Sequence, residues 1–213
     1  MMSSNDAALR KLMKEIVTGD AAAIERLLRM TPALANARLE EGATRQAAKE
    51  NRLAGIGHYV YKGDTALHVA AAAYRADIAR RLIALGGDVR ARNRRGAEPL
   101  HYAADGMPGS PLWDPIAQAA TVACLIGAGA DPNAMDKSGV TPLHRAVRTR
   151  CTGAVRALLE GGADARRKNK NGSTPMLLAT ITTGRGGSGS PQSKAEQIKI
   201  ARLLQEHGAS RAR

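Results

Sequence analysis

The sequence predicts an all-α repeat solenoid of about five helix-turn-helix repeats joined by short β-hairpin fingers. A four-residue segment recurs at offsets of 33, 43 and 33 residues, as 65–68, 98–101, 141–144 and 174–177. A second marker keeps two of these offsets, as Gly87-Asp88, Ala130-Asp131 and Ala163-Asp164. A fixed period of this length is the signature of stacked supersecondary units. Phe is absent, so Leu, Ala, Ile and Val must fill the core of closely packed helices.

The first helix of each unit has a local start signal. Thr141 and Thr174 are suited to the N-cap position, because a hydroxyl oxygen can accept a hydrogen bond from an amide of the first turn. Pro142 and Pro175 then fall at the first helical position, where a missing N–H costs nothing. Glu98 replaces the hydroxyl residue in the second of the four recurring segments, so we expect a weaker helix start there.

The second helices are marked by an apolar stripe and by paired glycines. Val155, Leu158 and Leu159 follow at helical spacing. Gly86-Gly87 and Gly161-Gly162 come where these helices must end. No unit of this size buries its own apolar face, so each repeat needs its neighbours and the core should be continuous.

These motifs resemble the ankyrin repeat family. The best match runs from Asp136 and contains Thr141-Pro142-Leu143-His144, then Val155-Arg156-Ala157-Leu158-Leu159 and Gly162-Ala163-Asp164. The resemblance implies one domain over residues 1–213 that binds proteins through its fingers and inner helices. Its predicted parts are a diverged N-terminal capping repeat at 6–38, an extended finger insertion at 39–59, repeats at 60–92, 93–135, 136–168 and 169–211, and loop insertions at 106–115 and 184–193.

The net charge of +13 is concentrated in two basic runs. Residues 90–95 and 166–170 fall at predicted hairpin tips, and the tip between them, 132–137, is nearly neutral. Stacked repeats place equivalent positions about 10 Å apart. The sequence therefore predicts a basic row with a weaker centre, although solubility alone is another interpretation of these charges.

We interpret this row as the binding surface for an acidic protein partner, because Arg holds carboxylates with two parallel hydrogen bonds. Nucleic acid is the alternative partner, since a basic row can follow phosphates. Against it, the fingers carry almost no aromatic residues on which bases stack. The candidate partner-binding residues are Tyr61, Lys62, Arg90, Arg92, Arg94, Arg95, Tyr102, Trp113, Lys137, Arg145, Arg148, Arg166, Arg167, Lys168, Lys170 and Arg185.

The extended finger insertion is about twenty residues longer than a normal connection. Its segment 44–53 favours an extra helical turn or two, and the alternation in 57–62 predicts a short strand. Two interpretations stay open: the finger packs Tyr59 against the repeats, or it presents Tyr61 to a partner.

The two loop insertions fall at equivalent places between paired helices. The first carries Trp113, the chain's only Trp, which either packs its loop onto the body, the interpretation we favour, or contacts a partner as an aromatic anchor. The second, residues 184–191, formally matches G-x-G-x-x-G but follows a helix rather than a strand, which disfavours a nucleotide site. A flexible linker or a small-anion site next to a helix starting near Lys194 remains. If both loops fold towards the inner groove, Trp113 and Arg185 become neighbours.

No catalytic, metal or cofactor site is predicted. His68, His101 and His144 recur once per repeat, about 10 Å apart, whereas the ligands of one zinc ion each lie about 2 Å from it. In the family this histidine is structural and bonds to the backbone near the next hairpin. No known catalytic motif occurs. We therefore expect a non-enzymatic, cytoplasmic monomer, without a secretory signal or a membrane span.

The two cysteines are too few for a disulfide framework. Cys124 is predicted to be a buried member of a second helix. Cys151, near an inter-helix turn, is predicted to be exposed.

Overall fold

The computed structural model describes residues 3–44, 46–106, 113–181 and 191–209. Across these ranges the chain forms ten α-helices and one two-stranded antiparallel ladder. The helices are α1 (Ser4–Thr18), α2 (Ala21–Met30), α3 (Ala66–Ala72), α4 (Ala76–Ala84), α5 (Pro99–Ala104), α6 (Pro115–Gly127), α7 (Pro142–Arg148), α8 (Thr152–Glu160), α9 (Pro175–Thr180) and α10 (Pro191–Glu206). The strands are β1 (Arg52–Leu53) and β2 (His58–Tyr59).

The helices pack in two rows. The first helices of the pairs, α1, α3, α5, α7 and α9, lie side by side, and the second helices from α4 to α10 form the other row. One hydrophobic cluster runs through both rows, from Leu9 in α1 to Leu204 in α10, both fully buried. The predicted all-α repeat solenoid with a continuous core is confirmed. None of the helices in the described ranges has both the length and the apolar character that crossing a bilayer demands.

Helix starts follow the predicted caps. The hydroxyl of Thr141 accepts a hydrogen bond from the amide of His144, and that of Thr174 accepts one from Leu177. The prolines that follow lie at the first turn of α7 and α9. At α5 the Glu98 amide donates to Nδ1 of His101 at 3.1 Å, and Glu98 as a whole is 6% exposed.

The turns between paired helices hold neighbouring repeats together. Tyr74 and Arg150 occupy equivalent positions with φ angles of 55° and 58°, in the left-handed region. The Tyr74 hydroxyl donates to the carbonyl of Asp105 at 2.7 Å, and the Arg150 guanidinium donates to that of Ile181 at 3.2 Å. Each turn side chain therefore reaches the next repeat.

The extended finger contains the short strand predicted within residues 57–62, as β2 of the two-stranded ladder. Arg52 pairs with Tyr59 and Leu53 with His58, after one short 3-10 turn at Lys49–Asn51. His58 packs its ring 4.4 Å from that of Tyr102, whereas Tyr59 is 37% exposed. Of the two interpretations that stayed open, the packing of Tyr59 against the repeats is not observed, because alternation along the strand turns His58 inward instead.

The cysteine predictions are wrong for both residues. Cys151 is 1% exposed, and burial raises the pKa of its thiol to about 12. A β-carbon on the neighbouring Gly106 would lie 2.1 Å from the Cys151 sulfur, which shows how tightly this turn packs. Cys124 is only half-buried in α6. Burial of Cys151 depends on contact with the preceding repeat, to which Gly106 belongs, and not on its position near a turn of its own repeat.

Candidate functional site

The recurring histidines are structural, as the resemblance implied. His68, His101 and His144 each place Nε2 3.0–3.2 Å from a backbone carbonyl oxygen of the following hairpin, at Ala97, Val140 and Ser173 respectively. Their Nδ1 atoms accept from the amide of the helix-capping residue, so Nε2 carries the proton. Burial lowers the pKa of all three imidazoles, which are therefore neutral at pH 7. Within the described ranges no group of three or more His, Cys, Asp or Glu side chains is arranged to hold a metal ion.

Each of the last three hairpin tips is shaped by one side-chain oxygen. Asn93, Asp136 and Asn169 occupy equivalent positions, and the Oδ1 of each accepts hydrogen bonds from the amides two and four residues ahead at 2.8–3.1 Å. An Asx side chain that bonds its own turn in this way fixes the turn locally. The basic residues beside these positions are therefore held on ordered turns.

Successive tips are also joined to one another through the backbone. The amide of Arg94 donates to the carbonyl of Lys62 at 2.8 Å, that of Lys137 to Arg95 at 2.9 Å, and that of Lys170 to Ser138 at 3.1 Å. These bonds place Lys62, Arg94 with Arg95, Lys137, and Lys170 on four consecutive tips. We call Lys62, Arg95, Lys137 and Lys170 the tip row.

The side chains of the tip row are turned towards solvent except where Arg95 meets Tyr61. Lys62, Lys137 and Lys170 are exposed. The Arg95 guanidinium donates to the Tyr61 hydroxyl at 3.0 Å and lies 5.1 Å from the ring centroid. At the central tip the Asp136 carboxylate is turned inward, with its side chain 8% exposed. At this tip Lys137 is therefore exposed while the nearby carboxylate of Asp136 is not. The positive charge at the centre of the tip row is less reduced than a count of charged residues predicted.

Three further finger arginines are tied to neighbouring segments by hydrogen bonds. Arg90 donates to the carbonyl of Gly129 at 2.9 Å, and Arg92 and Arg94 donate to those of Met135 and Ala43. These three arginines are exposed and also hold neighbouring segments together. Of the second basic run, Arg166 and Lys168 are exposed and Arg167 is half-buried.

The model of the ankyrin repeats family, as three copies, matches residues 12–110 and 116–211. The chain belongs to the ankyrin repeat family. No curated protein matches the chain significantly. Ankyrin repeats are in general protein-protein interaction modules, so the exposed surfaces of this ankyrin domain are where a partner must be sought.

Two predicted site residues of the ankyrin domain are turned into its interior. Tyr102 is 2% exposed, and its hydroxyl donates to the Asp64 carboxylate at 2.8 Å. Arg145 is 8% exposed and pairs with Asp105 at 2.8 Å and with Asp136 at 3.2 Å. The prediction that these two residues present themselves to a partner needs correction, because both are buried and buried or half-buried carboxylates already bind the Tyr102 hydroxyl and both Nη atoms of Arg145.

Trp113 packs against the body of the domain, as we expected. Its indole is half-buried against the core, and Nε1 donates to the Gln118 side chain at 2.8 Å. Gln118 is fully buried and in turn donates to the carbonyl of Ala103 at 2.9 Å. Arg185 and the loop 184–190 lie outside the described residues, so the small-anion site and the meeting of Arg185 with Trp113 stay predictions. Helix α10 begins at Pro191, slightly earlier than the start near Lys194 that we expected.

An inner groove runs between the extended finger and the first helices. It consists of two cavities of about 270 Å³ each, which share Gly57, His58, Asp105 and Arg148 as lining residues. One cavity continues towards Tyr61 and Arg95, and the other continues towards Tyr74 and Thr149. Sequence reasoning did not find His58 or Asp105, since neither belongs to a recurring motif.

A further cavity, of about 640 Å³, lies at the N-terminal end of the tip row. Its lining includes three carboxylates, Glu40, Glu41 and Glu50, beside Lys62 and Arg94. The exposed basic surface therefore ends at the first finger, where acidic side chains begin.

Proposed function

We propose that this ankyrin domain is a non-enzymatic module that binds an acidic protein partner along the tip row and the basic residues beside it. The observation that carries the proposal is the set of hydrogen bonds between the tips, which aligns cations from four consecutive fingers. A partner with regularly spaced carboxylates meets a surface that is already ordered. Such preorganisation lowers the entropic cost of binding.

An acidic protein fits this surface better than nucleic acid does. Single-stranded nucleic acids need aromatic platforms for base stacking. The aromatic residue beside the tip row is Tyr61, and the guanidinium groups of Arg94 and Arg95 lie 5.4 Å and 5.1 Å from its ring centroid. Two cations therefore already lie against the Tyr61 ring, which leaves little of its area for a base.

The proposal is tested by reversing the lysines of the tip row, whose side chains the structure leaves exposed. In Lys62→Glu/Lys137→Glu/Lys170→Glu the net charge falls from +13 to +7. The matched control is Arg80→Glu/Arg156→Glu/Arg202→Glu, which makes the same charge change at exposed positions of the second helices. The probe is a fluorescent peptide of alternating Glu and Ala, followed by anisotropy at low and raised salt, together with affinity capture from the native lysate.

We expect the tip-row variant to lose the peptide and its captured partners and the control to keep most of both. Equal loss in the two variants would mean that net charge, not the tip row, holds the partner. A gel shift with mixed DNA and RNA covers the alternative. A shift abolished by the tip-row substitutions, with the peptide unbound, would transfer the proposal to nucleic acid, whose binding weakens steeply with salt.

A further inference from the structure

The inner groove holds arginines whose hydrogen-bonding capacity is only partly used. Arg148 has a side chain 35% exposed, and its bond to Asp105 is 3.4 Å long. Arg95 donates to the Tyr61 hydroxyl from Nη1 alone. Both guanidinium groups line the cavity beneath the extended finger, so both have donors left for a molecule bound there.

Arg145 completes the site from below. Its two Nη atoms are taken by Asp105 and Asp136, while its buried Nε has no hydrogen-bond partner. Because Arg145 is 8% exposed and held from two sides, its positive charge is fixed at the base of the cavity. The unpartnered Nε is an unusual feature for a buried polar atom, which ordinarily finds a partner.

The net charge of the groove favours a ligand with a single negative charge. Three guanidinium groups, of Arg95, Arg145 and Arg148, face two carboxylates, of Asp105 and Asp136. His58 adds no charge at pH 7, since burial lowers the pKa of its imidazole. The excess is one positive charge. A singly charged carboxylate neutralises it, whereas a phosphate of nearly two negative charges would be repelled by Asp105 and Asp136.

The size and walls of the groove point to a side chain as the ligand. The one cavity of the groove that Arg95, Arg145 and Arg148 all line has a volume of about 270 Å³, just below the usual range for cofactor and drug-sized sites. The aromatic residues His58, Tyr59 and Tyr102 line the same cavity as these arginines. This combination fits one extended acidic side chain, whose methylene groups contact the rings while its carboxylate reaches the arginines.

We propose that the cavity beneath the extended finger binds a single Asp or Glu side chain of the partner, held by Arg148 and Arg95. The inference rests on the proposed function, because the same acidic partner would lie across the tip row. Arg95 belongs to both surfaces and connects them. The groove then supplies a specific anchor, while the row of lysines supplies general attraction.

The anchor is tested with two acetylated and amidated peptides, Ala-Glu-Ala and Ala-Gln-Ala, titrated into the isotopically labelled full chain and followed by NMR. We expect the Glu peptide to shift the Nε–H signals of Arg95 and Arg148 and the backbone amides of His58 and Tyr59. The Gln peptide should leave them in place. A phosphoserine peptide, Ala-pSer-Ala, that bound more tightly than the Glu peptide would overturn the choice of a carboxylate.

Two variants separate the anchor from the tip row. Arg148→Gln should weaken Glu-peptide binding about tenfold or more, as loss of a charged hydrogen bond implies. The exposed Arg156→Gln should leave it unchanged, and urea midpoints of both variants show whether each is folded. If the long acidic peptide depends on the tip-row lysines but Arg148→Gln binds both peptides normally, the anchor is refuted and the proposed function stands. If neither set of substitutions affects acidic peptides, both are refuted.

Discussion

At the scale of single residues, Glu98 makes α5 sensitive to pH. Its side chain is 8% exposed, one carboxyl oxygen has no hydrogen-bond partner, and Nε of Arg92 lies 3.8 Å from the other oxygen. Burial, only partly offset by Arg92, raises its pKa from 4.5 to about 7. The folded chain therefore binds this proton more tightly than the unfolded chain, and stability is lost as pH rises from 4.5 to 7.

Glu98→Thr should stabilise the protein, and more so at pH 8 than at pH 5. Threonine restores a hydroxyl cap worth about 1 kcal/mol at either pH. Removal of the buried carboxylate should add about 1–2 kcal/mol at pH 8 alone. Urea unfolding at both pH values measures the two contributions. Glu98→Gln is the control, because it removes the charge without adding a hydroxyl cap. An equal gain in stability for Glu98→Thr at both pH values would contradict the raised pKa of Glu98.

His101 should produce the opposite trend at lower pH. Burial, with a smaller effect of Arg145, lowers its pKa from 6.5 to about 3. The unfolded chain then binds the proton more readily, so stability falls as pH drops from 6.5 towards 3. His101→Leu, which mimics Leu177, should cost about 1–3 kcal/mol at pH 7 through the lost hydrogen bonds. The variant should lose less stability than the parent between pH 6.5 and 4.5, and parallel urea midpoints across that range would contradict this assignment.

At the scale of elements, glycines let neighbouring hairpin tips approach. Gly96 has a φ of +74°, and a β-carbon there would lie 3.0 Å from the amide nitrogen of Lys137. Gly172, at the equivalent place in the last finger, has a φ of +75° but nothing within 4 Å of such a carbon. Substitutions at Gly96 and Gly172 therefore distinguish the cost of backbone strain, which both share, from the cost of a steric contact with the next tip, which only Gly96 has.

Gly96→Ala should therefore destabilise the chain more than Gly172→Ala. Both variants force alanine into the left-handed region, at about 1–2 kcal/mol. Only Gly96→Ala also presses against the next tip, next to the bond that joins Lys137 to Arg95. Thermal unfolding of the two variants measures the difference, and identical losses would show that the tips do not support one another.

Elements with local signals could be predicted from the sequence, and those decided by tertiary packing could not. Thr141 and Thr174 predict where α7 and α9 begin, because a capping residue and a following proline act within one helical turn. The phase of the extended finger depends on Tyr102, which lies on another repeat and gives His58 a ring to pack against. Burial of Cys151 likewise depends on contact with Gly106, which belongs to the preceding repeat.

At the scale of the whole molecule, each repeat is supported by its neighbours, so the last described helix is supported from one side. Leu204 in α10 and Leu158 in α8 are both fully buried. Replacing either by alanine should cost about 2–5 kcal/mol. Repeat proteins distribute such losses locally, because stability is a sum of repeat and nearest-neighbour terms.

Leu204→Ala should split unfolding into two steps, whereas Leu158→Ala should shift a single one. Trp113, packed between α5 and α6, reports on the central repeats by fluorescence, and circular dichroism reports on all helices. For Leu204→Ala we expect helix loss to begin at lower urea than the fluorescence change. Coincident curves for Leu204→Ala would indicate that the solenoid unfolds as one cooperative unit.

The candidate site could be predicted only in part, because periodicity shows which positions are equivalent but not how individual side chains pack. Periodicity indicates that residues such as Lys137 and Lys170 occupy equivalent tips, which is a property of the repeat. It does not show that Arg145 is neutralised by Asp105 and Asp136, or that Tyr102 is covered by the extended finger. The pairing of Arg145 and the covering of Tyr102 depend on side chains that do not recur from one repeat to the next.

The hydrogen bonds between the fingers have a consequence for the kinetics of association. A docking face that does not rearrange should capture its partner at a rate set by diffusion and long-range charge. That rate should slow with added salt as the Debye length shortens. Release, by contrast, should be governed by the few contacts that are shielded from ions, so a mutation in the groove would shorten the lifetime of the complex without delaying its formation.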